Sequence, residues 1–176
     1  NMPKVIRGID TRQAHVPREG NLYGGADYTS LELCCVAQQV HDIFPGRVNR
    51  HRELLNDGVE LHSYLATHMT YRLGKDDLSR KFRRAVRRHF DADRPLEAVA
   101  EFLRLRKADE EEVRKWAKVK RNTGKVFGLS LPGGVGAKRI AFGLAPTYDL
   151  SITLEEAQQF VKVYHQAYPE MRPYFQ

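Results

Sequence analysis

Three short stretches of this 176-residue sequence carry side chains with the chemistry to handle phosphate. Asp27-Tyr28-Thr29-Ser30-Leu31-Glu32-Leu33 places a carboxylate where an extended segment ends. Hard carboxylate oxygens suit Mg2+, and in two-metal phosphoryl transfer such a group bridges both ions. The same aspartate serves equally as a cap or a solvated turn residue. Arg121, Lys125, Leu129 and Gly133 recur every four residues. Four residues turn a helix by about 400°, so the set drifts only about 40° per step and shares a face. Two cations and an apolar group there could hold a triphosphate and stack a base. A solvated basic face is the other reading. Leu131-Pro132-Gly133-Gly134-Val135-Gly136-Ala137-Lys138 sets glycines before a lysine. A P-loop needs Ser or Thr after that lysine; Arg139 stands there, which rules it out.

The elements that must position these groups are mostly helical. Residues 1–22 read as irregular, and a short extended stretch follows near Leu22 to Leu31. Leu33, Val36, Ala37 and Val40 recur at helical spacing up to about Ile43, before Pro45 and Gly46. Leu61, Leu65 and Met69 mark another helix. Pro95 fits a first helical position, with Leu96, Val99, Ala100 and Leu103 as the apolar stripe. Asp109 to Glu112 reads as a helix start, and Glu110–Arg114 and Glu111–Lys115 are spaced to pair. Pro132 ends that helix near Leu131. Thr153 and Glu156 form a capping box for a last helix through about Ala167. The fold class is mainly α with a small β element.

Composition narrows the partners. A formal charge of +7 favours a polyanion, nucleic acid or an anionic membrane surface. Arg80, Lys81, Arg84, Arg87 and Arg88 concentrate that charge, either as a nucleic-acid contact or as a solvated helix face. No apolar run approaches the roughly 20 residues of a membrane span. The two cysteines, Cys34 and Cys35, are adjacent. They argue against a disulfide framework, fit a reducing compartment, and read as packing residues. No signal peptide is visible, and the start at Asn1 with Met2 second reads as a cut piece of something longer.

Taken together, these segments resemble family A (DNA polymerase I-like) DNA polymerases, especially phage-type members. Asp27 to Leu33 resembles the family's motif A, Asp-Tyr-Ser-x-x-Glu-Leu. Arg12 and Val16-Pro17-Arg18-Glu19-Gly20 are similar to its approach. Gly58-Val59-Glu60-Leu61-His62 resembles the Gly-x-Asp-x-His segment that follows. Arg121 and Lys125 match motif B, Pro132 to Ala137 matches a phage-type ending, and Tyr168-Pro169-Glu170-Met171-Arg172 resembles the segment after the next helix.

That resemblance implies a partial palm over residues 1–33 and helical fingers over 34–176, with the nucleotide-binding helix near 121–131. It implies that Asp27 ligates both Mg2+ ions, helped by the Tyr28 carbonyl, and that Glu32 is the steric gate against a ribose 2′-hydroxyl. Lys125 and Arg121 would hold the incoming triphosphate, with Lys125 acting in catalysis, His62 would help with the phosphates, and Leu129 would lie against the nucleotide. The implied partners are primer-template DNA and deoxynucleoside triphosphates, with no membrane, in the cytoplasm of a bacterial or phage-infected cell. Leu129 stands where the family has Phe, Ser130 where it has Gly, and Gly133 where it has Tyr.

Family A chemistry also needs a second aspartate, in a His-Asp-Glu motif well after motif B. The resemblance therefore implies a further segment or second polypeptide, and a lone chain that does not polymerise. Val40-His41-Asp42-Ile43 imitates the motif. Asp42 lies ten residues along a helix from Glu32, on the order of 15 Å, too far to share metals about 4 Å apart. A single-subunit RNA polymerase would carry a small residue in place of Glu32. A non-catalytic nucleic-acid-binding accessory module using Arg80 to Arg88 is the alternative from another class.

Overall fold

The computed structural model describes residues 5–6, 9–10, 31–92 and 94–175. Two short strands, β1 (Val5–Ile6) and β2 (Ile9–Asp10), pair antiparallel. Everything else with regular structure among the described residues is helical. The expected extended stretch near Leu22 to Leu31 lies outside the described residues except at its end, where Leu31 already begins a helix. The class that stands is mainly α.

α1 (Leu31–Ile43) buries Leu33, Val36, Ala37 and Val40, the stripe expected from spacing. Cys34 and Cys35 fall on the opposite face and are exposed, so the expected packing role is corrected. The helix stops before Pro45, and Gly46 takes the turn at φ +78°, a conformation that suits glycine. α2 (Arg50–Asn56) is capped by Asn49, whose side chain accepts from the Arg52 amide at 3.0 Å and donates to the Ala37 carbonyl at 2.7 Å. One residue thus caps a helix and ties it to its neighbour. His51 is stacked on Tyr168 at 3.9 Å, and its ring Nδ1 meets Glu170 at 2.8 Å, which anchors α2 to the C-terminal segment.

α3 (Leu61–Leu73) is the axis of the molecule. Leu61 through Thr70 are all buried, polar and apolar alike. Such a helix is surrounded on every side, here chiefly by α5, α6 and α8 with α2 and α4 beside them. The period of Leu61, Leu65 and Met69 marks only part of what is covered. Thr67 takes a local partner, donating to the Ser63 carbonyl at 2.7 Å.

α4 (Asp77–Asp91) and α5 (Pro95–Leu105) pack on α3 through a small cluster of Phe82, Val86, Ala98 and Phe102, with Trp116 against it. Pro95 does sit at the start of α5. The face that α5 buries is Ala98, Val99 and Phe102, whereas Leu96 and Ala100 are exposed. The expected stripe was one residue out of phase.

α6 (Glu111–Ser130) is the longest helix among the described residues and crosses α3. It ends one residue before the expected limit, with Gly134 at φ +74° in the following turn. Lys115 pairs with Glu111 at 2.6 Å as its spacing allows. Arg114 does not pair with Glu110; it donates to the Ala108 and Asp109 carbonyls, because the preceding turn presents free acceptors. α7 (Ala137–Arg139) leads into a π-helical turn, Ile140–Leu144, and a 3-10 turn, Ala145–Tyr148. α8 (Leu154–Ala167) has both halves of the Thr153–Glu156 capping box. α9 (Met171–Tyr174) closes the described chain.

Candidate functional site

The α3–α6 crossing is made by absent side chains. Gly124 and Gly128 sit one turn apart on α6, facing the first turns of α3. A Cβ on Gly124 would run into the His62 carbonyl oxygen and come within 2.9 Å of the Ala66 nitrogen. Both are backbone atoms that cannot step aside. Gly128 faces the imidazole of His62, whose Nδ1 is 3.5 Å from where a Cβ would stand, an ordinary van der Waals distance. The bare backbone at Gly124 therefore brings the N-terminal end of α3 onto the middle of α6, between Arg121 and Leu129.

Several expected residues meet there. Glu60 caps α3 and accepts from the Ser63 amide at 2.9 Å. It also takes a forked contact from Arg121, Nε at 3.2 Å and Nη2 at 2.9 Å. Arg106, from the end of α5, approaches the same carboxylate at 3.7 Å. Burial pushes the Glu60 carboxyl up, but hydrogen bonds from Ser63 and Arg121 outweigh it and hold the group below its usual range. Arg121, expected to hold triphosphate, is thus first a partner of Glu60, with Nη1 unpartnered among the described residues.

His62 is buried, and its Nδ1 has no partner among the described residues. Burial lowers its proton affinity, with Arg121 and Lys125 lowering it further and Glu60 and Glu32 opposing them. The imidazole is therefore neutral at pH 7 within the electrostatic reach of Glu32, Glu60, Arg121 and Lys125. Three separately read stretches of sequence, those of Glu32, of Glu60 with His62, and of Arg121 with Lys125, thus influence one histidine.

Lys125 is half-buried, and its Nζ lies 5.8 Å from the Tyr148 ring centre, a cation–π contact. Glu32 is exposed in the first turn of α1. Leu129 is half-buried and packs against the main core. Gly133 is exposed, and a Cβ there would meet only the Ser130 carbonyl oxygen at 3.5 Å, so the space beside it is open. Asp42 is exposed near the end of α1 and accepts from Gln38 at 2.8 Å, as expected for a surface aspartate.

Asp27 and Tyr28, the expected metal ligands, lie outside the described residues, as do Arg12 and Val16 to Gly20. Among the described residues no group of three His, Cys, Asp or Glu side chains gathers to hold an ion. No helix among them is long and apolar enough to cross a membrane.

The basic stretch is separate from this site. α4 is tied to the far end of α3, where Arg83 donates to the Tyr71 and Gly74 carbonyls at 2.7 and 2.6 Å. Arg83 is thus a fastening and not part of a solvated face. Arg80, Lys81, Arg84, Arg87 and Arg88 are exposed on the opposite side of α4. Arg80 pairs with Asp77 and Arg87 with Asp91, while Lys81, Arg84 and Arg88 have no ion-pair partner among the described residues.

Sequence reasoning missed three residues. Arg106 reaches Glu60 from a separate helix end, and no spacing signals that. Tyr148 comes to Lys125 only because the chain reverses after the π turn; Pro146 was the available hint of a turn. Phe142, in that π turn, is 64% exposed beside Lys138 and Arg139. An exposed aromatic among cations is a known platform for bases, and its sequence neighbourhood carries that pattern. No protein-family model, curated protein or solved structure matches the chain.

Proposed function

We propose that the chain is the fingers and part of the palm of a DNA-directed DNA polymerase of family A type, transferring deoxynucleotides to a primer 3′-hydroxyl. The observation that carries this reading is the packing of the His62 turn of α3 against the Arg121–Lys125 stretch of α6 at Gly124, with Arg121 gripped by Glu60 beside His62. His62 was singled out from one motif and Arg121 and Lys125 from another, and their order along the chain is that of the family.

In this reading the site binds the triphosphate of an incoming nucleotide. Lys125 supplies a point charge steered by Tyr148. Arg121 is held by Glu60 in a fixed orientation, with its remaining Nη1 available to a phosphate oxygen. His62 offers a neutral ring nitrogen, and an arriving polyanion raises its proton affinity, so binding takes up a proton. Such preorganised groups lower the barrier by facing charge that develops on the phosphates. Glu32 excludes the 2′-hydroxyl, while open space at Gly133 weakens that exclusion. Mg2+ held by Asp27 and the Tyr28 carbonyl would activate the attacking hydroxyl and neutralise the leaving group. The second metal-binding aspartate of this chemistry is assigned to a segment other than these residues.

The test is primer extension with the purified chain, Mg2+ and deoxynucleotides, alone and with a polypeptide carrying a His-Asp-Glu motif. Extension only in the mixture, abolished by Asp27→Asn and sharply reduced by Lys125→Ala, is expected. Extension that persists in Asp27→Asn, or deoxynucleotide binding indifferent to Lys125→Ala, sinks the reading.

A second reading is favoured by α4. Its three cations without partners and their exposed neighbours suit a non-catalytic nucleic-acid-binding module. Nucleic-acid affinity that depends on Arg84 and Arg88, in a chain without any nucleotide binding, would select it.

A further inference from the structure

The cations of α6 do not stop at the nucleotide site. Arg114, Lys118, Arg121 and Lys125 recur at steps of three or four residues. At about 100° per residue they share a sector of about 60° and extend over about 16 Å of helix. Exposure falls along the row: Arg114 and Lys118 are open to solvent, Arg121 and Lys125 are half-buried. The outer part of the row walls a groove of about 520 Å³, with Arg106 on its other side and Asn122 in its lining.

Charge in this groove is unbalanced. Lys115 is matched by Glu111. Arg106 and Arg121 share one carboxylate, Glu60. Arg114 has only carbonyl partners, and Lys118 has none among the described residues. Five cations therefore face two carboxylates. The crowding is felt at Arg106, whose proton affinity is lowered by burial and then by Arg121. A small multivalent anion relieves this; a neutral or cationic ligand does not. The groove's volume of about 520 Å³ has room for a compact polyphosphate.

We infer that this groove is a second anion subsite, a binding place for inorganic pyrophosphate that opens onto the triphosphate site through Arg121. The inference rests on the nucleotide-binding reading of Arg121 and Lys125. A row of cations from solvent to a half-buried site concentrates anions at its mouth. It supplies an outer resting place for the terminal phosphates of a nucleotide entering and for pyrophosphate leaving. Arg121 is the shared member, Lys118 belongs to the groove, and Lys125 to the inner site.

The test is calorimetric titration of the 176-residue chain with inorganic pyrophosphate and, separately, with a deoxynucleoside triphosphate. Lys118→Glu is exposed and leaves the packing of α6 intact. It is expected to weaken pyrophosphate binding by about tenfold or more, reversing one charge contact. Lys125→Ala is expected to weaken triphosphate binding strongly and pyrophosphate binding by less than about threefold. If pyrophosphate binding follows Lys125 and ignores Lys118, or is absent, the groove is not a subsite, and the nucleotide reading stands or falls separately on the triphosphate titration. If a short single-stranded oligonucleotide displaces bound pyrophosphate and itself depends on Lys118, the groove is a strand contact and the pyrophosphate assignment is overturned.

Discussion

Helices α4 and α6 both present rows of arginine and lysine, yet the rows are held in opposite ways. On α6 the inner cations are half-buried, and Arg121 is gripped by a carboxylate from another helix. On α4 the corresponding side chains are solvated, and their ion pairs are with residues three or four positions away on the same helix. Exposed pairs of that kind are worth at most about 1 kcal/mol. The geometry of the inner α6 cations is set by a packed crossing, which suits a small ligand of fixed shape. The α4 row is a diffuse field, suited to a partner that is itself an extended polyanion. Residue type was the same in both; what differs is whether the backbone behind the charge is locked.

That contrast breaks most easily at Gly124. Gly124→Ala pushes a methyl into the α3 backbone and should cost about 1–3 kcal/mol of stability, as overpacking does. Urea unfolding followed by circular dichroism measures it, and deoxynucleotide affinity should fall along with it, since His62 and Lys125 are displaced from each other. A variant as stable as the parent would mean that the crossing is looser than described.

The second prediction concerns pH. His68, on α3, is buried between Tyr64 and Phe90 with neither ring nitrogen partnered among the described residues. Burial, with Arg72 and Arg50 nearby, pushes its pKa down to about 3. The unfolded chain binds a proton near pH 6.5 that the folded chain refuses. Stability is therefore fully present above that pH and falls as the pH drops toward 3, by up to about 1.4 kcal/mol per pH unit. His62 and His165 act in the same direction. The depressed carboxyls Glu60 and Asp76 lose their contribution only lower, as the pH passes below the ordinary carboxylate range. His68→Leu should make the acid limb shallower by about one proton. Denaturation midpoints from pH 4 to 7 (roughly the window set by that shift) that match the parent's would show His68 to be solvated.

The smallest effect is expected on α4. The double substitution of Arg84 and Arg88 by Gln should change stability by no more than about 0.5 kcal/mol. It should lower the salt slope of DNA binding by about one to two units, one per lost phosphate contact. An unchanged slope leaves α4 a solvated face, and the comparison with α6 then separates a binding helix from an inert one.

The legibility of this molecule follows the same divide. Local rules placed the ends of α6 and α8, because Pro132 and the Thr153–Glu156 box act within a single turn. They placed Arg121 and Lys125 on one face. They did not show that α3 is buried all round, since its polar members His62, Ser63, Thr67 and His68 look like a solvent side until their neighbours are known. They mistook Cys34 and Cys35 for core because apolar neighbours in sequence lie on a different face of α1. Arg114 went to carbonyls instead of Glu110, since a turn with open acceptors lay nearer. Glu60 was noticed only as a motif position; its grip on Arg121 and Arg106 spans distant segments and has no periodic signature.

The approach at Gly124 has a mechanical consequence. Where two helix backbones touch, neither helix rolls about its own axis without prising the other away, so the pair turns as one lever. Any displacement of α6 as a whole therefore carries His62 and Glu60 along with Arg121 and Lys125. The freedom of the two helices to shift as a unit is set by the turns at either end of them, not by the joint itself.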